Sequence, residues 1–146
     1  MSPALVVYLD TSVVAPLFVV DTHTPIVLAW LRRIAESQQV TLSDWTVSEF
    51  SGAIAAANRA GRVPAAMRAA SERGLDRWVE QQGGALPVLS DDVRKARRLI
   101  GETTEPLRAP EALHIAIAER QGASLATLDI GMRRAAADLG LAVADL

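Results

Sequence analysis

What the sequence lacks narrows its chemistry. With no cysteine among 146 residues, disulfides, thiolate zinc sites and cysteine nucleophiles are all excluded, and the composition suits a reducing compartment. No apolar run reaches the ~20 residues that a membrane-spanning helix needs; the nearest, Val13 to Val20, is short and contains Pro16. The N-terminus has no basic stretch leading into an apolar segment and a small-residue cleavage site. A soluble cytoplasmic protein without membrane partners is therefore expected. An excess of positive charge is also missing. Fifteen Lys and Arg against 17 Asp and Glu leave a net charge of −2, which argues against holding duplex nucleic acid by charge alone.

What is present is a strongly apolar chain. Half of its residues are hydrophobic, so disorder is excluded. A chain of this length buries about 70% of its unfolded surface, enough for a core without staples. All basic residues but Lys95 are arginines, clustered in Arg59 to Arg77 and in Arg94 to Arg98. Arginine forks suit bidentate phosphate contacts, although the same arginines serve equally well as solvated helix faces.

Ala4 to Leu9 is a continuous Val/Leu run, the pattern of a strand covered on both faces. Thr24-Pro25 offers an N-cap with proline at the first helical position, and Ile26 to Ser37 has helical periodicity. Gln39 to Ser43 is a second strand candidate. Trp45 to Ala60 and Pro64 to Gln82 form two helices ending at Gly61 and Gly83. Leu86 to Leu89 is a third strand, weakened by Pro87 to an edge position, and Ser90 caps a basic helix through Leu99. After a loop from Gly101 to Ala109, Pro110 opens a helix that ends near Gly122. Ser124 to Leu128 is a fourth strand, Met132 to Leu139 a last helix, and Leu141 to Leu146 a possible fifth strand. Strands alternating with helices predict an α/β fold with a mainly parallel sheet, in one domain spanning 1–146.

In such sheets ligands gather at the carboxyl ends of the strands. Asp10 follows the first strand and Asp129 the fourth. Glu49 lies early in the helix after strand two, and Glu111 sits beside Pro110 at a helix start. Carboxylates crowded into one cleft repel one another unless a cation joins them. Oxygen ligands without Cys or His select Mg²⁺ or Mn²⁺ rather than zinc, and such an ion can hold a phosphodiester and activate water. Each acid also has a structural reading. Asp10 and Asp129 suit caps or turns. Thr46-Val47-Ser48-Glu49 fits a capping box, and Glu111 suits the first turn of a helix. Asp91 and Asp92 read as first-turn charges. His114, three residues after Glu111, reads as a histidine orienting local backbone, and Trp30, Trp45 and Trp78 read as core or interface residues.

Taken together, Tyr8-Leu9-Asp10-Thr11-Ser12, Ser48-Glu49, Leu107-Arg108-Ala109-Pro110-Glu111-Ala112-Leu113-His114-Ile115-Ala116 and Leu125-Ala126-Thr127-Leu128-Asp129 resemble the PIN-domain family, specifically VapC-type toxins of toxin–antitoxin pairs. The resemblance runs the length of the chain. It implies a three-layer α/β/α sandwich with a four- to five-stranded, mainly parallel sheet and an Mg²⁺- or Mn²⁺-dependent endoribonuclease. The family's four acids fall on Asp10, Glu49, Glu111 and Asp129, with Asp10, Glu111 and Asp129 as metal ligands. Its helper hydroxyls fall on Thr11, Ser12 and Thr127. The third acid of the family is usually aspartate, so Glu111 departs from the pattern by one methylene. The resemblance also implies an RNA substrate, a cognate antitoxin seated near the helix pair from Trp45 to Gln82 with Phe50, Ile54 and Met67 offered to it, and a homodimer or toxin–antitoxin hetero-oligomer.

Other enzymes that place an acid after strand one fit less well. A phosphatase of the haloacid dehalogenase type needs a second aspartate where Ser12 stands and a late lysine, and a response-regulator receiver needs a late lysine and an early acidic pair. A nucleotide-binding domain needs a glycine-rich turn that Asp10-Thr11-Ser12 does not supply. A degenerate PIN domain that binds RNA or a partner without cutting is the alternative that Glu111 favours.

Overall fold

In the computed structural model, which describes residues 5–146, the chain runs β1 (Val6–Leu9), α1 (Thr11–Phe18), α2 (Thr24–Ile34), β2 (Gln39–Thr41), α3 (Asp44–Arg59), α4 (Ala65–Gln81), α5 (Ser90–Glu102), α6 (Ala109–Arg120), β3 (Ser124–Ala126) and α7 (Ile130–Asp138). The sheet is parallel in the order β2-β1-β3, with Tyr8 opposite Thr41 on one side and Leu125 on the other. Alternation along β1 sorts its side chains between two cores. Val7 and Leu9 pack with Val13, Val14, Val27, Trp30 and Phe50. Tyr8 faces the opposite side, with Leu99, Ile115 and Leu125. Helices thus cover both faces, giving the expected α/β/α layering.

The sheet has three strands among the described residues, fewer than the four or five expected. The segments read as strands three and five each contribute a single parallel bridge, Leu86 to Ser43 and Val143 to Leu125. Pro87, with no amide hydrogen, follows Leu86 immediately and allows no further ladder on that edge. Ala4, read as the start of the first strand, lies outside the described residues.

The apolar run after Asp10 is helix α1, which carries Pro16 inside it. The start of α2 also differs: the Thr24 hydroxyl donates to the Pro16 carbonyl at 2.7 Å rather than capping its own helix. Ser90 is the first residue of α5 and not its cap. Asp92 instead reaches back to accept the Leu89 amide at 2.8 Å. Phe50 and Ile54, expected to face a partner, are 1% and 3% exposed and belong to the core; Met67 is half exposed. Trp30 is buried, and Trp78 packs edge-on against Phe18 with centroids 6.0 Å apart. At the ends of α3 and α6, Gly61 and Gly122 take φ of +76° and +62°. Both sit where a left-handed residue closes the helix, with Arg62 and Ala123 donating back to Ala57 and Ala118.

Candidate active site

Leu9 and Ala126 end adjacent parallel strands, so the residues that follow them, Asp10 and Thr127, emerge side by side. The Asp10 amide continues the ladder by donating to the Ala126 carbonyl at 3.2 Å. The Asp10 side chain is 2% exposed and both its oxygens are engaged. Oδ1 accepts from the Ser12 hydroxyl at 2.6 Å and from the Val13 amide, the N-terminal cap of α1; Oδ2 accepts from the Thr127 hydroxyl at 2.7 Å. Burial dominates these bonds and pushes the carboxyl above its ordinary range, while the hydroxyls of Ser12 and Thr127 and the nearby His114 pull the other way. A buried carboxylate held this way is charged at the expense of stability.

Ser12 and Thr127 also fix the neighbouring loop. The Ser12 oxygen accepts the Leu128 amide at 2.8 Å, and Thr127 accepts the Asp129 amide at 3.0 Å. Asp129 is therefore anchored through its backbone to the residue that holds Asp10. Its Oδ1 caps α7 by accepting the Met132 amide at 2.9 Å.

Glu49 is not part of a capping box. The cap of α3 is Ser43, whose oxygen accepts the Thr46 amide, and this places Glu49 in the second turn. Its Oε1 accepts the Thr11 hydroxyl at 2.8 Å and pairs with His114 Nε2. Partial burial alone would raise its pKa. The hydrogen bonds from His114 and Thr11 outweigh that and hold Glu49 below the usual carboxylate range. It is ionised near neutral pH.

Glu111 stands apart from the other three. It closes its own helix by accepting the Arg108 amide at 3.0 Å and pairs with the Arg108 guanidinium at 3.0 Å. Its side chain is 16% exposed and that of Arg108 85%, so the partner of this acid is held mainly by solvent. Asp10 and Asp129 thus share Thr127, Glu49 shares Thr11 and His114, and Glu111 turns to Arg108. The donors are all hard carboxylate oxygens, which suits Mg²⁺ or Mn²⁺. Among the described residues, no three Asp, Glu or His side chains are grouped closely enough to hold an ion as they stand.

The partners of His114 were disguised by its sequence position. Its ring nitrogens bond the side chains of Glu49 and Tyr8 and not local backbone. It is 1% exposed and its Nδ1 meets the Tyr8 hydroxyl at 2.7 Å. The available signal was its place one turn after Glu111 on α6, combined with the sole tyrosine of the chain in the central strand.

A PIN domain family profile matches residues 7–138. The chain belongs to the PIN-domain family. Its fold is similar to that of FitAcB from Neisseria gonorrhoeae, at 23% identity over 95% of this chain and 96% of that one, with a TM-score of 0.67. It is also similar to VapBC2 from Rickettsia felis bound to a promoter DNA fragment, at 12% identity over 97% and 98%, with a TM-score of 0.72. A third likeness is to Mycobacterium tuberculosis VapC20, described as a sarcin-ricin loop cleaving toxin, at 17% identity over 88% and 94%, with a TM-score of 0.61. At these identities the likeness is one of fold. No curated protein sequence matches the chain. Among the described residues, no helix is long and apolar enough to cross a membrane.

Proposed function

We propose that this PIN-domain protein is a cytoplasmic, Mg²⁺- or Mn²⁺-dependent endoribonuclease, the toxin of a toxin–antitoxin pair. In this reading it acts on RNA phosphodiesters and is silenced by a cognate antitoxin, as a homodimer or within a hetero-oligomer. The observation that carries the reading is Asp10, a carboxylate buried at the end of the central strand beside an ionised Glu49. A purely structural cap does not need that burial. The toxin–antitoxin complexes among the fold's relatives support the partner, and the RNA-cleaving VapC20 supports the substrate class.

Asp10, Glu111 and Asp129 would hold the ion, with Glu111 exchanging its exposed Arg108 partner for it. When bound, such an ion polarises a phosphodiester and lowers the pKa of an attacking water. The protein's own groups divide the remaining work. Ser12 and Thr127 aim the two oxygens of Asp10, Thr127 fixes the loop that carries Asp129, and Glu49 orients the water and accepts its proton at Oε2, the oxygen that Thr11 and His114 leave free. Thr11 and His114 restrict the rotation of Glu49.

Incubating the purified, partner-free protein with RNA and Mg²⁺ or Mn²⁺ tests this. Cleavage that is abolished by chelator is expected. RNA binding without cleavage in either metal would favour the degenerate PIN module instead, the reading to which the Arg108-bound Glu111 lends weight.

A further inference from the structure

The buried polar chain behind Glu49 goes beyond the four acids, and its direction can be worked out from donors and acceptors. An ionised carboxylate only accepts, so His114 Nε2 carries the hydrogen that binds Glu49 Oε1. In the neutral imidazole Nδ1 is then an acceptor, and the Tyr8 hydroxyl, 2.7 Å away, donates to it. Thr46 commits its hydroxyl hydrogen to the Leu9 carbonyl at 3.1 Å, which leaves Ser43, 2.7 Å from the Tyr8 oxygen, as the donor to Tyr8. Ser43, Tyr8, His114 and Glu49 therefore form one unidirectional file in which each group donates to the next. Such aligned bonds polarise one another.

The packing around the ring restricts it further. Tyr8 and Trp45 flank His114 at centroid distances of 5.7 and 6.5 Å. Trp45 is itself fixed by donating to the Pro110 carbonyl at 3.3 Å. Tyr8 comes from β1, Ser43 from the residue before α3 and His114 from α6, so the file ties three elements to one carboxylate.

We propose that His114 is a positioning residue for catalysis, holding the Glu49 carboxylate in its water-facing orientation, with Tyr8 and Ser43 fixing the imidazole tautomer. This rests on the nuclease reading for its kinetic consequence, and on geometry alone for the bond itself. Removing a group that orients a site residue through a second hydrogen bond lowers activity by roughly 10- to 100-fold. His114→Ala should therefore lower kcat by about that factor with the KM for RNA changed less than about twofold. His114→Gln, which keeps an N–H donor, should recover most of the loss, and Tyr8→Phe should lie between.

A spectroscopic arm separates the bond from the activity. The chain has two histidines, and the side chain of the other, His23, is 55% exposed. In the full-length wild type, His114 should give one exchange-protected imidazole N–H resonance at Nε2, which Glu49→Ala shifts or abolishes. No protected N–H, or one indifferent to Glu49→Ala, overturns the proposal even if every His114 variant unfolds. It is also overturned if His114→Ala cleaves at the wild-type rate, or if His114→Gln fails to restore kcat while remaining folded. A wild type that shows the protected N–H and does not cleave RNA would contradict the nuclease reading and leave the positioning bond standing.

Discussion

Asp10 shows how one residue can serve the fold locally and oppose it globally. It caps α1, yet burial raises its pKa in the folded state above the unfolded value. The folded protein then binds that proton more tightly than the unfolded chain does. The stabilising contribution of the protonated acid is complete below the unfolded pKa, near pH 4, and is lost as pH rises through the folded value. Asp10→Asn keeps one acceptor oxygen and removes the buried charge. In chelator at pH 7 the variant should be more stable than wild type by about 1 kcal/mol, with the difference shrinking toward about pH 4; urea titrations across that range check both. A variant less stable than wild type at pH 7 would show that the hydrogen bonds of Asp10, and not its burial, dominate. At this scale the acids were legible in the sequence as residues just past strands, but their partners were not. Spacing along the chain carries no information on contacts such as Thr127 to Asp10, 117 residues apart. Glu49 looked like a cap only because Thr46 stands three residues before it.

Among the elements, α5 and α6 form the firmest pairing on the Tyr8 side of the sheet. Asp92, 3% exposed, accepts from Arg120 Nε at 2.8 Å and Nη2 at 3.0 Å, while Arg120 also donates to the Pro87 carbonyl at 2.9 Å. One carboxylate thus closes the start of α5, joins it to α6 and, through Arg120, anchors the segment that bridges to Ser43. Asp92→Ala removes the helix closure and strands a partly buried guanidinium. A loss of about 2–3 kcal/mol is expected, read as a lower urea midpoint; a change below about 0.5 kcal/mol, the range of featureless surface positions, would contradict the clasp. The sequence pattern revealed the helices with capping signals and glycine stops, α3, α4, α6 and α7. It concealed α1, because Val13, Val14 and Pro16 in an unbroken apolar run argue for extended chain. Packing against α2, α3 and α4 overrides that local preference. The outer strands were overcounted for a related reason: short Val/Leu segments look alike whether they pair along a full ladder or through one bridge.

Over the whole molecule, a slightly acidic protein is assigned an acidic substrate, and the arginines bear on that. On α5, Arg94 is tied to Asp91 at 2.6 Å and Lys95 to Glu119 at 2.7 Å. Arg97 and Arg98 are exposed and have no ion pair among the described residues. If this helix tracks RNA, Arg97→Ala with Arg98→Ala should weaken RNA binding and flatten the dependence of log K on log salt by about 0.7 per arginine for single strands. An unchanged slope would remove α5 from the RNA path. The α/β class with a parallel sheet, and the position of Asp10 and Asp129 just past strand ends, were readable from the order of the elements, and the α/β/α layering from the family resemblance. The engagement of Glu111 with Arg108 was not, since it depends on a single side-chain choice at a helix start.

The central claim is that Asp10 belongs to a cation-dependent RNA-cutting centre, and the most direct test is the single-turnover cleavage of one defined RNA in Mn²⁺ by wild type and by folded Asp10→Asn. A rate at least about 100-fold lower in the variant is predicted, the scale of loss when one charge-stabilising group leaves an active site. Equal rates for the two proteins would contradict the account.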